Sequence, residues 1–339
     1  MDVAVCGAQV PFTRGGAELL MENLVGALRE AGHRADLVQI PVGWEKDRLF
    51  DAPLAWRLAP VDADVVIATN FPSYFVRHPR KVVWLLHQHR GAYDMVDAAW
   101  NDIGLDATSL ETQRQLTDWD NRALGEAREV FTISDVVGDR LARFNGLAST
   151  TLYHPPPLFD RLQAGPAGDY VLLPSRLASN KRPGLLVEAM AHLRTSTRVV
   201  LAGDGPLRDE LAQRAEHLGV ADRLVLPGYV SDDKLLELFS GALAVVYPPI
   251  DEDYGYVTLQ AFAASKPVIT CADSGGVLEW VVDGENGCVG DGSPEAMARA
   301  IDDLAADPAA AAELGARGRS RVDELSWQPV VDRLLAAAG

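Results

Sequence analysis

A carboxylate and an amide stand eight positions apart in the stretch DEDYGYVTLQAFAASKPV, residues 251–268. The acid is Glu252, in a turn that contains Gly255, and the amide is Gln260, in a segment that reads as the first turns of a helix. The start of a helix favours bound anions, and both side chains can hold hydroxyl groups. What this stretch binds therefore depends on the other residues that face it.

Two cations flank a second short loop, in LPSRLASNKRPGLL. Arg176 and Lys181 follow a strand-like run and lead into a helix, and two cations that converge on a helix start suit a diphosphate. The alternative is a solvated loop, because exposed Arg and Lys are ordinary. The position at a strand end favours the first interpretation. The next residue, Arg182, is expected to face solvent.

Glycines follow three further strand-like runs. Gly15 and Gly16 precede a helix and could bind a phosphate, but their spacing is not G-x-G-x-x-G and argues against a nicotinamide dinucleotide. Gly203 lies in LAGDGP, and Gly228 precedes Tyr229 and Val230 in LPGYV. Here the backbone could approach a flat ring and read a base edge. All of these glycines are also consistent with plain turns.

Two histidines end an apolar run in the first half, in WLLHQHRGAYD. His87 and His89 point the same way if the chain is still extended there. Either could donate to a sugar hydroxyl or to a developing charge, and a structural role stays open for each. Arg90 and Asp94 follow, and they either form a salt bridge or contact an acceptor. A zinc site lacks an obvious third ligand nearby.

Acid pairs of the form D-x-D occur at 251–253 and at 62–64. In some transferases this spacing holds a divalent metal. In a chain with 48 acidic residues the pattern is frequent by chance, and Arg176 and Lys181 can neutralise phosphates themselves. We therefore expect no metal and no other cofactor.

The elements that would position these residues alternate between short apolar runs and helical segments. Near-continuous apolar strands separated by helices predict parallel sheets that are covered on both faces. The strand-like runs are VAVCGA, ADLVQI, ADVVIAT, KVVWLL and EVFTIS, and then YVLLPS, RVVLAGDG, RLVLPGYV, ALAVVYPP and KPVITC.

A stretch rich in Pro and Gly, residues 155–168, separates the two series of strands. The sequence therefore predicts an α/β protein with one domain over 1–160 and a second over 161–325. A last helix, 326–339, carries Trp327 and Leu334, which could pack on either domain, and we expect it to pack back toward the first. Such sheets bind ligands at the carboxyl ends of their strands, where the motifs above lie.

The charge composition indicates which classes of partner the protein is expected to bind. The chain has 339 residues, with 31 Lys and Arg against 48 Asp and Glu, a formal net charge of −17. This charge disfavours nucleic acid and anionic membranes on average, so any membrane contact is expected to be peripheral. Three scattered cysteines, no basic leader and no long apolar run predict a cytoplasmic protein.

Together these residues resemble the retaining glycosyltransferases of family four, which have the two-domain GT-B fold. The resemblance covers nearly the whole chain and is strongest in the second half. Its carriers are GGAE at 15–18, HQHR at 87–90, SR and NK within 175–181, AGDGP at 202–206, PGYVSDDKLLELF at 227–239, EDYGYVTLQAFAASKPVI at 252–269 and SGGVLEWVVDGENG at 274–287.

The resemblance implies two Rossmann-like, doubly wound parallel-sheet domains that face each other across a cleft. It implies metal-independent transfer of a hexose or amino sugar from a nucleotide-diphosphate sugar to a hydroxyl of a small molecule, glycan or glycolipid. The residues that it places at the reacting centre are His87, Arg176, Lys181 and Glu252. The donor would further contact Gly15, Gly16, Gly203, Gly228, Tyr229, Val230, Tyr254, Gly255, Tyr256, Val257 and Gln260. Apart from the resemblance, we expect His89, Arg90 and Asp94 on the acceptor side.

Gln260 departs from the family, which has a second glutamate there, bonded to the ribose hydroxyls. A carboxylate can accept both hydroxyls, with a charge-assisted gain of about 1.5–3 kcal/mol each, whereas an amide accepts through one oxygen only. We therefore expect weaker or differently oriented ribose binding.

The resemblance leaves several points open. The family's acceptor attacks from the side of the leaving group, so no protein base is required. One alternative is a nucleotide-sugar 2-epimerase-like isomerase that uses Glu252 and His87. Another is a catalytically weakened nucleotide-sugar-binding protein, for which Gln260 is the hint. The basic cluster YFVRHPRK, at 74–81, is either a lipid-facing patch, as in related enzymes, or a solvated loop.

Overall fold

The computed structural model describes residues 1–96, 101 and 103–339. The chain divides into two compact units, one formed by Met1–His154 with Ser326–Gly339 and the other by Pro155–Leu325. The boundary predicted after residue 160 lies inside the second unit.

A parallel sheet of six strands forms the centre of the first unit. Its strands are β1 (Asp2–Gln9), β2 (Arg34–Pro41), β3 (Val65–Ala68), β4 (Lys81–Leu85), β5 (Val130–Thr132) and β6 (Thr150–Thr151). The order across the sheet is β2-β1-β3-β4-β5-β6, and every pairing is parallel. The residues of β3 and β4 are buried throughout, as expected for strands that are covered on both faces.

Helices follow the strands of this sheet. They are α1 (Gly16–Glu30), α2 (Asp51–Leu58), α3 (Ala107–Gly125) and α4 (Asp135–Asn145). In α1 the predicted apolar stripe faces inward, because Leu20, Leu24 and Leu28 are almost completely buried.

The second unit repeats the architecture. Its strands are β7 (Tyr170–Leu173), β8 (Arg198–Ala202), β9 (Leu224–Gly228), β10 (Ala244–Val246), β11 (Val268–Cys271) and β12 (Gly287–Gly290). Its helices are α5 (Pro183–Met190), α6 (Arg208–His217), α7 (Asp232–Gly241), α8 (Tyr256–Ala263), α9 (Pro294–Ala306) and α10 (Pro308–Val322). The sheet is parallel, in the order β12-β11-β10-β7-β8-β9.

Helix α11 (Trp327–Ala338) belongs to the first unit, where it contacts α1, β3 and β4. Trp327 lies edge-on to Trp84, with 6.1 Å between the ring centroids, and Leu334 is completely buried. None of the helices in the described part of the chain combines the length and the apolar character needed to cross a membrane.

Helix α10 approaches α8 closely because of two glycines. A Cβ atom at Gly315 would lie 2.0 Å from the carbonyl oxygen of Ser265. A Cβ atom at Gly318 would lie 2.3 Å from Cδ1 of Phe262, on α8. Neither position has room for a side chain, so α10 packs directly on the Phe262 ring of α8 and on the backbone that follows α8.

The predicted fold class is confirmed, since two parallel sheets flanked by helices are present. Two edge strands were not predicted, because β6 has only two residues and β12 contains two glycines in a stretch without an apolar run. All ten predicted runs contain an observed strand.

Candidate functional site

The carboxyl ends of the strands in the second unit carry most of the predicted site residues. Arg176 follows β7, Gly203 follows β8, and Glu252 lies on the loop after β10. Because all pairings in this sheet are parallel, these loops leave the same edge of the sheet.

Lys181, Glu252 and Tyr247 form a compact polar cluster at this edge. The Lys181 ammonium forms an ion pair with Oε2 of Glu252. The Tyr247 hydroxyl lies 2.9 Å from the same carboxylate oxygen and 3.2 Å from Nζ of Lys181. Two predicted residues therefore meet, together with a tyrosine that sequence reasoning missed.

The pKa values of both Lys181 and Tyr247 are raised in this cluster. Burial disfavours the charge of Lys181, but the adjacent Glu252 carboxylate outweighs this effect and raises the pKa of the ammonium group. Burial, and then the charge of Glu252, raise the pKa of Tyr247. At neutral pH the cluster therefore holds an ammonium ion and a neutral phenol beside the acid.

Arg182 positions the loop that carries Glu252, which corrects the prediction that Arg182 faces solvent. Its side chain is only 18% exposed, and Nη1 and Nη2 bind both oxygens of Asp273 at 2.9 and 2.5 Å. Nε and Nη2 also donate to the carbonyl oxygens of Pro248 and Pro249. The guanidinium thus ties the loop after β10 to the loop after β11.

Backbone contacts between these two loops fix Glu252 itself. The Glu252 N–H donates to the Ser274 carbonyl at 3.3 Å, and the Gly276 N–H donates to the Glu252 carbonyl at 2.7 Å. Gly275 has φ 59°, and a Cβ atom there would lie 2.6 Å from the Glu252 carbonyl oxygen. A side chain at 275 would therefore push the acid out of place.

Helix α8 begins immediately after the acid. Its N-cap residue is Gly255, with φ 82°, and no side chain caps the helix start. Tyr254 is buried edge-on to Tyr256, with 5.5 Å between the ring centroids. Val257 is also buried, so any contact of Val257 with a ligand runs through its backbone amide. The uncapped start of α8 leaves backbone amides available to an anion, and contacts of 254–257 with a donor remain predictions.

Gln260 is buried on α8, and its amide already has a partner. Nε2 donates to the carbonyl oxygen of Pro157 at 3.0 Å. The side-chain oxygen is the only part of the amide that can then accept a hydroxyl hydrogen. A glutamate at this position would turn a carboxylate oxygen toward the Pro157 carbonyl, and an ionised carboxylate could not donate to it.

Arg176 differs from Lys181 in its surroundings. Its side chain is exposed, and within 1–96, 101 and 103–339 no carboxylate forms an ion pair with it. A cation in this state can bind an incoming anion without breaking an internal contact.

The two glycine loops of the predicted base site have separate structural roles. A Cβ atom at Gly203 would lie 2.0 Å from the carbonyl oxygen of Ser175, so glycine allows the loops after β7 and β8 to touch. Gly228 ends β9, and the neighbouring Tyr229 is 82% exposed, whereas Val230 is half-buried. An exposed ring here can stack on a base, although base contacts remain a prediction.

Gly15 caps helix α1 in the first unit. Its N–H donates to the Glu18 carboxylate at 2.8 Å. The helix start therefore already holds an anion from its own chain, with which a phosphate at Gly15 would have to compete, and the predicted contact of Gly15 stays a prediction. Gly16, the first residue of α1, is exposed, and its predicted contact stays a prediction.

The two histidines lie beyond β4 in different surroundings. Nδ1 of His87 lies 2.9 Å from the carbonyl oxygen of Gln88, so this nitrogen carries the hydrogen. His89 stacks on Trp44, with 5.5 Å between the ring centroids, and packs on Phe71. Burial, and then the charge of His87, lower the pKa of His89 to about 4, so its ring is neutral at pH 7.

Arg90 and Asp94 form a salt bridge, the first of the two predicted alternatives. Nη2 and Nε of Arg90 lie 2.7 and 3.2 Å from the two oxygens of Asp94. Nε of Arg140 approaches the same carboxylate at 2.5 Å. An acceptor at this site would have to compete with these partners.

The basic cluster at 74–81 is used largely inside the first unit. Lys81 is buried and donates to two backbone carbonyls at 2.8 and 2.9 Å, and burial lowers its pKa to about 8. Arg80 donates to the carbonyl oxygen of Ala338, and the ring of His78 contacts another backbone carbonyl. Arg77 in the same cluster is exposed, so the choice between a lipid-facing patch and a solvated loop remains open for this residue.

The second unit corresponds to a known family. The model of the family described as glycosyl transferases group 1 matches residues 159–321. The second unit is a glycosyl transferases group 1 domain. The predicted family is thereby confirmed, and its retaining, family-four assignment remains a prediction.

Curated relatives that match this chain are named as glycosyltransferases. A GDP-mannose-dependent alpha-(1-6)-phosphatidylinositol monomannoside mannosyltransferase of Mycolicibacterium smegmatis is 28% identical over 277 residues, which cover 74% of this chain and 67% of the relative. A D-inositol 3-phosphate glycosyltransferase of Rhodococcus opacus is 32% identical over 50% of this chain. The chain spans only 40% of the length of the latter, and 36% of an uncharacterized glycosyltransferase of Methanocaldococcus jannaschii.

Solved structures share the fold over the whole chain. Sucrose-phosphate synthase of Thermosynechococcus elongatus has a TM-score of 0.78 and 22% identity, with 100% of both chains covered. HepE of Anabaena, in complex with UDP and glucose, has a TM-score of 0.72 and 18% identity, with 98% of both chains covered. At these identities the likeness concerns the fold, and it agrees with the predicted GT-B architecture.

Two residues of the glycosyltransferase domain were missed by sequence reasoning. In the sequence, Tyr247 looks like the last residue of an apolar strand. Its position at the carboxyl end of β10 could have marked it as a candidate site residue. Arg182 stands beside a predicted site cation but has a structural role. Within the described residues no three His, Cys, Asp or Glu side chains come together as a metal-binding group, and metal independence remains a prediction.

Proposed function

We propose that this chain moves a hexose or amino sugar from a nucleotide-diphosphate sugar to an acceptor hydroxyl, with retention of configuration. The observation that carries the proposal is the pairing of Lys181 with Glu252 at the carboxyl edge of the sheet, where the loop after β7 also carries the exposed Arg176. This is the edge at which open α/β sheets bind ligands. The family of the domain and the names of its relatives support the same chemistry.

The charges of the site suit the departure of a nucleoside diphosphate. When the bond between the anomeric carbon and the phosphate oxygen breaks, negative charge grows on the diphosphate. Arg176, Lys181 and the start of helix α8 are the groups that stabilise this charge. Glu252 orients the sugar and stabilises its oxocarbenium character.

The acceptor step requires no further charged group in this proposal. The acceptor hydroxyl forms the new bond at the anomeric carbon, and its proton passes to an oxygen of the departing phosphate. No side chain is therefore assigned as a general base, and the catalytic role of His87 remains a prediction. The names of the relatives favour a hexose donor and a polyol or glycolipid acceptor.

A thermal-shift titration with UDP, GDP and ADP tests the donor site. A nucleotide at one hundred times its dissociation constant adds about 2.7 kcal/mol, or about 5–11 °C of Tm for a domain of this size. Arg176→Ala combined with Lys181→Ala should abolish the shift. Arg198→Ala and Lys234→Ala are matched controls, because these cations pair with exposed acids elsewhere in the unit. The donor-site proposal fails if no nucleotide shifts the wild type.

Turnover of nucleotide sugars without acceptor tests the reaction. We expect slow release of the nucleoside diphosphate, as water replaces the acceptor. Formation of an epimer would instead identify an isomerase, and binding without any turnover would identify a weakened binding protein.

A further inference from the structure

Tyr247 is held rigidly between the two charged residues of the cluster. Its side chain is almost completely buried, and its hydroxyl reaches both Lys181 and Glu252. Its backbone is fixed as well, because its N–H donates to the Ile269 carbonyl at 2.9 Å and its carbonyl accepts from Thr270 at 2.8 Å. The phenol oxygen therefore has a defined position at the carboxyl end of β10.

The direction of the hydrogen bonds follows from the chemistry of the three groups. An ammonium group only donates, so the Tyr247 oxygen accepts from Lys181. The phenol keeps its proton, because burial and the neighbouring carboxylate raise the pKa of Tyr247. Its hydrogen is then directed at the oxygen of Glu252 that also pairs with Lys181. The carboxylate thus has two donors, of which only one is a cation.

A diphosphate changes the demands on Lys181. The proposed donor brings a second anion to an ammonium group that already neutralises Glu252. If Lys181 turns to the phosphate, a largely buried carboxylate loses its cation, and an unpaired buried carboxylate is costly. Tyr247 can keep donating to Glu252 during this exchange, because the tyrosine is fixed to β10 and not to the loop of Lys181.

We propose that Tyr247 is a positioning residue that holds the Glu252 carboxylate while Lys181 binds the donor diphosphate. This inference rests on the proposed function. It predicts that the tyrosine hydroxyl promotes nucleotide binding only as long as residue 252 is an acid. Without the hydroxyl, Glu252 and the diphosphate compete for one ammonium group.

A double-mutant cycle in nucleoside-diphosphate affinity tests this coupling. The variants are Tyr247→Phe, Glu252→Gln and their combination, and the probe is whichever of UDP, GDP and ADP shifts the wild type most, measured by calorimetric titration. Tyr247→Phe removes one oxygen and keeps the ring, so a melting curve without nucleotide checks that each variant folds.

We expect Tyr247→Phe to weaken the affinity about tenfold when residue 252 is Glu, and less than twofold when it is Gln. Glu252→Gln alone should tighten diphosphate binding while transfer falls, since it removes the competing anion. If Tyr247 were merely structural, Tyr247→Phe would weaken the affinity by the same factor with Glu or Gln at position 252. That result, or no effect of Tyr247→Phe at all, would overturn the inference and leave the donor site unaffected. A wild type that binds no nucleoside diphosphate would overturn both.

Discussion

Replacement of Gln260 by Glu introduces the residue that the resemblance to family four leads us to expect at this position, and it should destabilise this protein. The amide of Gln260 donates to the Pro157 carbonyl at 3.0 Å, and its side chain is only 8% exposed. In Gln260→Glu an ionised carboxylate cannot donate, so an acceptor would face another acceptor inside the second unit.

The expected loss combines two contributions. The lost hydrogen bond accounts for about 1 kcal/mol, and the partly buried carboxylate without a donor adds about 1–2 kcal/mol. We therefore expect the free energy of unfolding to fall by about 2–3 kcal/mol at pH 8. The folded state raises the pKa of the new carboxyl, so the penalty is present above its ordinary value of about 4.3 and fades as pH falls toward it. A protonated carboxyl can donate to Pro157 as the amide does.

Urea unfolding of the wild type, Gln260→Glu and Gln260→Met at pH 5 and pH 8 measures these contributions. Gln260→Met keeps the size of the side chain and removes the donor without adding charge, so its loss should not depend on pH. If ribose lies beside this residue, nucleotide should stabilise Gln260→Glu more than the wild type, because the carboxylate can accept both hydroxyls. A variant as stable as the wild type at pH 8 would refute the assigned role of the Gln260 amide.

Two further predictions concern stability. Asp120 on α3 is fully buried and accepts a hydrogen bond from Tyr93 at 2.5 Å, and burial raises its pKa to about 7 from 3.8. The native state thus favours the protonated acid, so the free energy of unfolding should decrease by about 4 kcal/mol between pH 4 and pH 8. Asp120→Asn should remove most of this pH dependence in urea titrations. An unchanged pH dependence in the variant would contradict the assignment. Arg182→Ala should lower the free energy of unfolding by about 2–3 kcal/mol, because it breaks the paired bonds to Asp273 and two carbonyls. Arg198→Ala, which breaks an exposed ion pair, should cost less than about 1 kcal/mol, and equal losses for the two variants would contradict the role of Arg182 in tying the two loops together.

The sequence predicted the features that depend on local patterns. Buried parallel strands such as β3 and β7 show as continuous apolar runs, and the parallel arrangement then places Arg176 and Glu252 at one edge. Pairing between distant residues was not predictable. The partner of Gln260 lies 103 residues away, and the exposure of Arg182 depends on an acid 91 residues further along the chain. Local sequence carries no signal for such contacts.

The histidine loop shows the same limit in the first unit. The spacing of His87 and His89 suggested side chains on one face of an extended strand. The strand ends before them, and burial gives His89 an aromatic environment that its neighbours in sequence do not reveal.

The glycine contact between α10 and α8 links the site to a helix that lies behind it. At Gly318 an added Cβ atom would overlap the Phe262 ring on α8, and at Gly315 it would overlap the Ser265 carbonyl, just after α8 ends. Since α8 starts directly after the loop of Glu252, any displacement of this helix moves the uncapped amides that are proposed to face the diphosphate. Substitutions on α10, away from the site, can therefore change the position of the helix start that the site uses. Enlarging those glycines is a route by which this lineage could lose activity while every side chain of the site stays the same.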